Sequence, residues 1–230
     1  ARRVSTAVVV GSALLGLAVG PVIDVVVTRV PQRLPVFGAE ARAALQPRRA
    51  GVLAVACSAL FAGVAAPLGD SWVLPAYLVL AAGLVALSLI DLEHYLLPNR
   101  IVYPLTGAVL VLVTIGAVGD GDGSALVTAL LGGVAGFVAL GVLHLVSPRS
   151  MGFGDVKLAF VLGVALGWLG WGELVLGLFL GFLYGAIVGA TLMALRLRGR
   201  KDHVPFGPFL AAGTLTAVLW GDTILRWYGS

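Results

Sequence analysis

WVLPAYLVLAAGLVALSLID, residues 72–91, runs from Trp72 to Ile90 without a single charge and then stops on Asp91. Roughly 20 apolar residues carry a helix across the hydrocarbon of a bilayer, so the stretch reads as a transmembrane span with a carboxyl group at its end. The same reading works along the whole chain. Eight spans emerge, from about Ala7 to Val27, Ala50 to Leu68, Trp72 to Ile90, Ile101 to Val118, Ser124 to Val146, Val156 to Gly170, Glu173 to Leu195 and Gly207 to Trp227, the sixth being the shortest. Over 230 residues, 60% hydrophobic and 11% charged, with a mean hydropathy of +1.05, the chain is too apolar for a soluble domain. The expectation is an all-α, polytopic membrane protein of about eight transmembrane helices, organised as a single membrane-embedded domain over residues 1–230.

Charge gives the orientation. With the amino terminus outside, the loops at 28–49, 91–100, 147–157 and 196–206 face the cytoplasm and hold all but Arg2, Arg3 and Arg226 of the 15 basic residues. The opposite connections, Gly69-Asp70-Ser71 and Gly119-Asp120-Gly121-Asp122-Gly123, are short and acidic. Trp72, Trp168, Trp171, Trp220 and Trp227 all fall at the outer ends, where an aromatic belt belongs. The net charge of +4 therefore reports loop topology and a lipid bilayer partner; no basic stretch interleaved with aromatics argues for nucleic acid. Arg2 and Arg3 ahead of the first span suggest a signal peptide, but the apolar run continues to Val27 past any small-residue cleavage site. Ala1 is not an initiator Met, which leaves room for residues upstream. Gly177, Gly181, Gly185 and Gly189 draw a stripe along span seven, and Gly132, Gly136, Gly163 and Gly167 do the same in spans five and six. Small residues at that spacing let helix backbones approach, so the expectation is packing.

The chemistry concentrates in two acids. Ionisable groups at the margin of hydrocarbon are costly, so each one carries a functional hypothesis. Asp91 closes span three and Asp155 opens span six within Met151-Gly152-Phe153-Gly154-Asp155-Val156-Lys157-Leu158, at the same depth on the cytoplasmic side. Gly152 and Gly154 permit a tight entry into the helix and close approach of another backbone. The helix amino terminus favours the Asp155 anion, while a second carboxyl nearby favours keeping a proton on one of the two. A dyad of that kind can hold a water, deprotonate it and protonate a leaving amine.

These segments carry a resemblance. Gly152 to Leu158 resembles the GxGD-x-K-L motif of type IV prepilin leader peptidases, and Asp91 followed by Leu97-Pro98-Asn99 resembles the segment bearing that family's first catalytic aspartate. Pro205-Phe206-Gly207-Pro208-Phe209 is similar to the family's terminal Pro-Phe-Gly-Pro segment. Gly20 to Pro31 is similar to its first-span signature, with Asp24 where Asn is more usual. The resemblance implies an aspartic endopeptidase that cuts the basic leader from type IV prepilins or pseudopilins at the cytoplasmic face of a prokaryotic plasma membrane. It implies Asp91 and Asp155 as the catalytic pair, with Gly152, Gly154, Lys157, Pro98, Asn99, Pro205 and Gly207 shaping the motifs or positioning substrate, and no cofactor or metal. One departure stands out. Many members carry two Cys-x-x-Cys pairs in the first cytoplasmic loop, linked to N-methylation of the new amino terminus; residues 28–49 here form a short loop without cysteine. The expectation is a peptidase without methyltransferase activity, with methylation by another arrangement as the alternative.

Plainer roles compete for each residue. A helix-end acid serves for Asp91, an amino-terminal cap for Asp155 and a buried packing thiol for Cys57, the single cysteine. Glu93 and His94 are expected to be exposed loop residues, His144 a hydrogen-bonded packing residue, and Asp24, about a turn from Arg29, part of an intramembrane pair or a snorkelling contact, with substrate recognition as the alternative. Lys157 serves equally as an inner-leaflet anchor, and the run Arg196, Arg198, Arg200, Lys201 as an orientation signal. The rival function is a proton-coupled transporter using the same two aspartates, against which stand their shared membrane face and the absence of a repeat relating the halves. A non-catalytic membrane scaffold explains the glycines but not the acids.

Overall fold

The computed structural model describes residues 5–38, 40, 43–147, 151–196 and 205–228. They form eight long helices: α1 (Thr6–Arg29), α2 (Pro47–Leu68), α3 (Leu74–His94), α4 (Asn99–Asp120), α5 (Gly123–Val146), α6 (Phe153–Leu169), α7 (Trp171–Ala194) and α8 (Gly207–Tyr228). No strand occurs among the described residues. Seven of these helices are long and apolar enough to cross a membrane; α6, with 17 residues, falls just short. The chain is an all-helical, multi-pass membrane protein. Of the basic residues that set the expected orientation, Arg2, Arg3, Arg42, Arg149, Arg198, Arg200 and Lys201 lie outside the described residues.

Helix ends depart from the hydropathy pattern where a polar side chain finds a partner. The third span does not end at Ile90: α3 runs on to His94, which places Asp91 inside its last turn. The sixth begins at Phe153, not Val156, which places Asp155 at the third helical position. Similarly, α1 reaches Arg29 and α2 starts at Pro47, a residue suited to a first turn because the N–H it lacks has no helical partner there. A charge stops an apolar run in a sequence, but it does not stop a helix whose backbone bonds continue.

The chain divides into two compact units, one of Ala1–Ile90 with Pro98–Gly123 and one of Asp91–Leu97 with Ser124–Ser230. In the first, α1 and α2 pack backbone to backbone: a Cβ on Gly16 would lie 2.5 Å from the Cys57 carbonyl oxygen, and one on Gly20 would overlap the Ala54 amide. Ile23, Val27, Leu53, Cys57, Ala86 and Ile90 form a buried cluster around this crossing. Cys57 is thus the inert packing thiol its sequence position suggests. Neither backbone can yield, so Gly20→Ala is expected to destabilise this unit by about 1–3 kcal/mol, as overpacked cores do. Thermal unfolding in detergent reads the effect, and an unchanged midpoint contradicts this packing.

The first unit also buries charge. Asp24 is fully buried on α1, accepts the Gln46 backbone N–H at 2.8 Å, and has the Arg49 Nε 3.2 Å from its Oδ1, too poorly aligned for a hydrogen bond but close enough to pair the charges. The ion pair expected for Asp24 exists, but not with a residue one turn away. Arg29 turns instead to Glu40, bonding its carbonyl and its carboxylate. At the other end of the unit, Gly121 adopts a left-handed conformation (φ 67°) to close α4. Asp120 there accepts hydrogen bonds from the Ser71 hydroxyl and the Trp72 N–H.

In the second unit α6 is buried on every face, from Asp155 to Gly167. It packs on α7 and α8. Against α5 the fit is close, because a Cβ on Gly132 would sit 2.5 Å from the Gly163 carbonyl oxygen and one on Gly136 equally near that of Ala159. The stripe on α7 meets Leu166 and Ala217 at Gly177, Leu210 at Gly181 and Phe206 at Gly185. Packing is therefore the role of these glycines, with one exception: nothing lies within 4 Å of a Cβ on Gly189.

Candidate active site

Both aspartates belong to the second unit. Asp91 is buried, 5% exposed, and its carbonyl accepts the Tyr95 N–H at 2.9 Å as α3 ends. Tyr95 takes a left-handed conformation (φ 55°) that turns the chain sharply into Leu96 and Leu97. The Asp91 carboxyl accepts the backbone N–H of Gly207 at 3.0 Å. That N–H opens α8, where the first amides have no partner within the helix and the dipole favours an anion. Pro208 follows within the first turn, where the N–H it lacks has no helical partner.

Asp155 is also buried, 7% exposed. Gly152 caps α6 with an extended backbone (φ −69°, ψ 147°), and the Asp155 carboxyl reaches back to accept the Gly152 N–H, the acidic half of a capping box. The cap itself is therefore Gly152, not Asp155 as the plainer reading expected; Asp155 stands at the third helical position. This bond does not exhaust the group: Asp155 Oδ1 is buried with no hydrogen-bond partner among the described residues. Asp91 lies in the same unit, and Leu97 borders both Gly154, beside Asp155, and Gly207, whose N–H holds Asp91. Two buried carboxyls at helix ends are groups that can take up and give protons in acid–base chemistry.

The glycines are what let these elements meet. A Cβ on Gly207 would lie 2.8 Å from Asp91 Oδ2, and one on Gly154 would lie 3.0 Å from Leu97 Cβ. The chain entering α6 is held by His144, whose Nδ1 pairs with the Met151 carbonyl at 2.8 Å and whose ring lies 5.6 Å from that of Phe153. Lys157 places its ammonium 5.0 Å from the centre of the Phe153 ring. Pro205 stands half-buried two residues before Gly207. Pro98 and Asn99 belong to the first unit, where Pro98 caps α4 by accepting the Ile101 and Val102 N–H groups and Asn99 is exposed. Glu93 and His94 are exposed, as expected. Among the described residues no group of three or more His, Cys, Asp or Glu side chains is placed to hold a metal ion. An open apolar cavity of about 320 Å³, lined by Trp72, Thr114, Ile115, Val118 and Gly119, lies in the first unit and touches neither aspartate.

Fold and site together define a multi-pass membrane protein with two buried carboxyl groups set at helix ends. Residues 78–190 match the type IV leader peptidase family, and the chain belongs to it. Both aspartates fall inside the matched residues; Gly207 falls beyond them. A prepilin leader peptidase/N-methyltransferase of Aeromonas hydrophila is 40% identical over 175 residues, covering 74% of this chain and 57% of that protein. Proteins of the same name from Stutzerimonas stutzeri and Pseudomonas aeruginosa are 35% identical over 186 residues and 40% identical over 177, covering 79% and 74% of this chain and 62% and 58% of theirs. The chain thus spans somewhat over half the length of these relatives. No solved structure matches it significantly.

Proposed function

We propose that the chain is an aspartic endopeptidase that removes the basic leader from type IV prepilins or pseudopilins at the cytoplasmic face of a bacterial plasma membrane. The observation that carries this reading is the pair of buried carboxyls, Asp91 and Asp155, set at helix ends in one unit and within the residues that match the family. A water held between the two carboxyls attacks the scissile carbonyl. The anionic carboxyl takes the water's proton, the protonated one gives its own to the departing amide nitrogen, and the C–N bond breaks to leave a carboxylate and a free amine. A Gly at the cleavage position makes local unwinding of the substrate helix cheap. Residues 28–49 take the place of the family's cysteine-bearing loop domain, and the peptidase chemistry draws nothing from them; N-methylation forms no part of the proposal.

The test is a mass-shift assay in detergent or liposomes with a prepilin from the same genome. The expected product lacks its leader and begins after the Gly that precedes the apolar helix, and a chelator leaves the rate unchanged. A wild-type protein that cleaves no prepilin but moves protons across proteoliposomes overturns the proposal in favour of transport. The Gly207 N–H supplies a second expectation. Gly207→Ala forces the Asp91 carboxyl off that N–H, since the new Cβ would crowd Oδ2. Losing a placed donor to a reacting group should lower kcat by roughly 10- to 100-fold, with the unfolding midpoint nearly unchanged. Wild-type kcat in this variant removes Gly207 from the site.

A further inference from the structure

Leu97 stands in the turn between α3 and α4, and its isobutyl group forks over both glycines that border the aspartates. Its Cδ1 lies 3.3 Å, and its Cβ 3.0 Å, from where a Cβ on Gly154 would be, while its Cδ2 lies 3.4 Å from the corresponding position on Gly207. One methyl thus bears on the start of α6, one residue before Asp155. The other bears on the start of α8, beside the N–H that holds Asp91. Three chain segments are kept at fixed separation by one half-buried side chain: the end of α3, the start of α6 and the start of α8. Leu97 brings no polar atom to the site.

We infer that Leu97 is a positioning residue that sets the distance between the Asp91 and Asp155 carboxyls through its contacts with Gly154 and Gly207. The inference rests on the peptidase reading above, because cleavage rate is what reports that distance. A misplacement of about 1 Å between reacting groups costs on the order of 100-fold in rate, so a residue that only spaces the carboxyls acts on kcat and leaves KM unchanged. Packing in the fork depends on branching at Cγ. Ile carries its branch at Cβ and Met carries none, so each restores volume without restoring both contacts.

The experiment measures kcat and KM for prepilin cleavage by the full chain and by Leu97→Ala, Leu97→Met and Leu97→Ile, with Asp91→Asn and Asp155→Asn alongside. The expected result is a fall in kcat of roughly 10- to 100-fold for Leu97→Ala with KM within about twofold, and partial recovery in the Met and Ile variants. A Leu97→Ala rate equal to wild type, while both Asn variants are inactive, overturns the inference and leaves the peptidase reading in place. A raised KM with unchanged kcat also overturns it, since Leu97 would then be a substrate contact. If the Ala variant does not fold, the Met and Ile variants decide: a kcat deficit at unchanged KM supports the inference and wild-type rates overturn it. Cleavage that persists in both Asn variants, or its absence in wild type, defeats the peptidase reading and the inference with it.

Discussion

Asp91→Asn and Asp155→Asn are each expected to lower the rate of prepilin cleavage by about 10³-fold or more, with the amount of folded protein unchanged. Asn keeps the shape of the side chain and an oxygen that can still accept the Gly207 or the Gly152 N–H, so both backbone bonds survive. What disappears is the ability to exchange a proton. General acid–base groups contribute roughly 10²- to 10⁴-fold, and removing either member of a coupled pair disables the other. Asp155 adds a second handicap. Its Oδ1 is buried with no partner among the described residues, and the amide placed there has no use for a water as a base. Initial rates at matched protein concentration check the effect. A variant that keeps a tenth of wild-type activity takes its residue out of the pair.

The second large effect concerns stability. Asp24→Ala is expected to destabilise the first unit by about 2–3 kcal/mol. Asp24 is fully buried and joins two elements: it accepts the Gln46 N–H at the entry to α2 and pairs with Arg49 in that helix's first turn. Removing it takes the acceptor from the Gln46 N–H, in a part-buried bond, and leaves a guanidinium short of its counter-charge. Arg49 retains 24% side-chain exposure, so part of that charge relaxes towards polar surroundings and the loss stays below that of a fully buried pair. Asp24→Asn should cost less, because the amide oxygen still accepts from Gln46. Unfolding of the purified variants in detergent measures both. An Ala variant as stable as wild type contradicts the pairing.

Asp91 and Asp155 were legible in the sequence because a lone carboxyl bordering an apolar run is costly, and the cost singles it out. The glycines of α5, α6 and α7 were legible for the opposite reason: close backbone approach accounts for their spacing, and Gly189 shows that the pattern can run one repeat past the last contact that explains it. Partners were not legible. Hydropathy places Asp24 in a span and suggests the nearest cation in sequence, Arg29, but which guanidinium reaches a buried carboxyl depends on how residues 30–46 fold back, and Arg49 is the one that does. Leu97 stands in the Leu97-Pro98-Asn99 segment that carries the resemblance, but no sequence feature marked it for a role of its own. A leucine in a loop of a membrane protein looks like lipid-facing surface until the glycines at 154 and 207 supply the grooves that its two methyls enter. Helix ends were blurred by the same limit, since Asp91 and Asp155 are held inside their helices by backbone bonds that hydropathy does not report.

The central claim is that the two carboxyls act as one unit, and the most direct measurement is the single-turnover cleavage rate of the Asp91→Asn/Asp155→Asn double variant beside each single variant. Groups that share one proton-transfer task are strongly non-additive. A double variant no slower than the slower single variant is expected. A double variant whose loss is the product of the two single losses contradicts it, because each carboxyl would then be working alone.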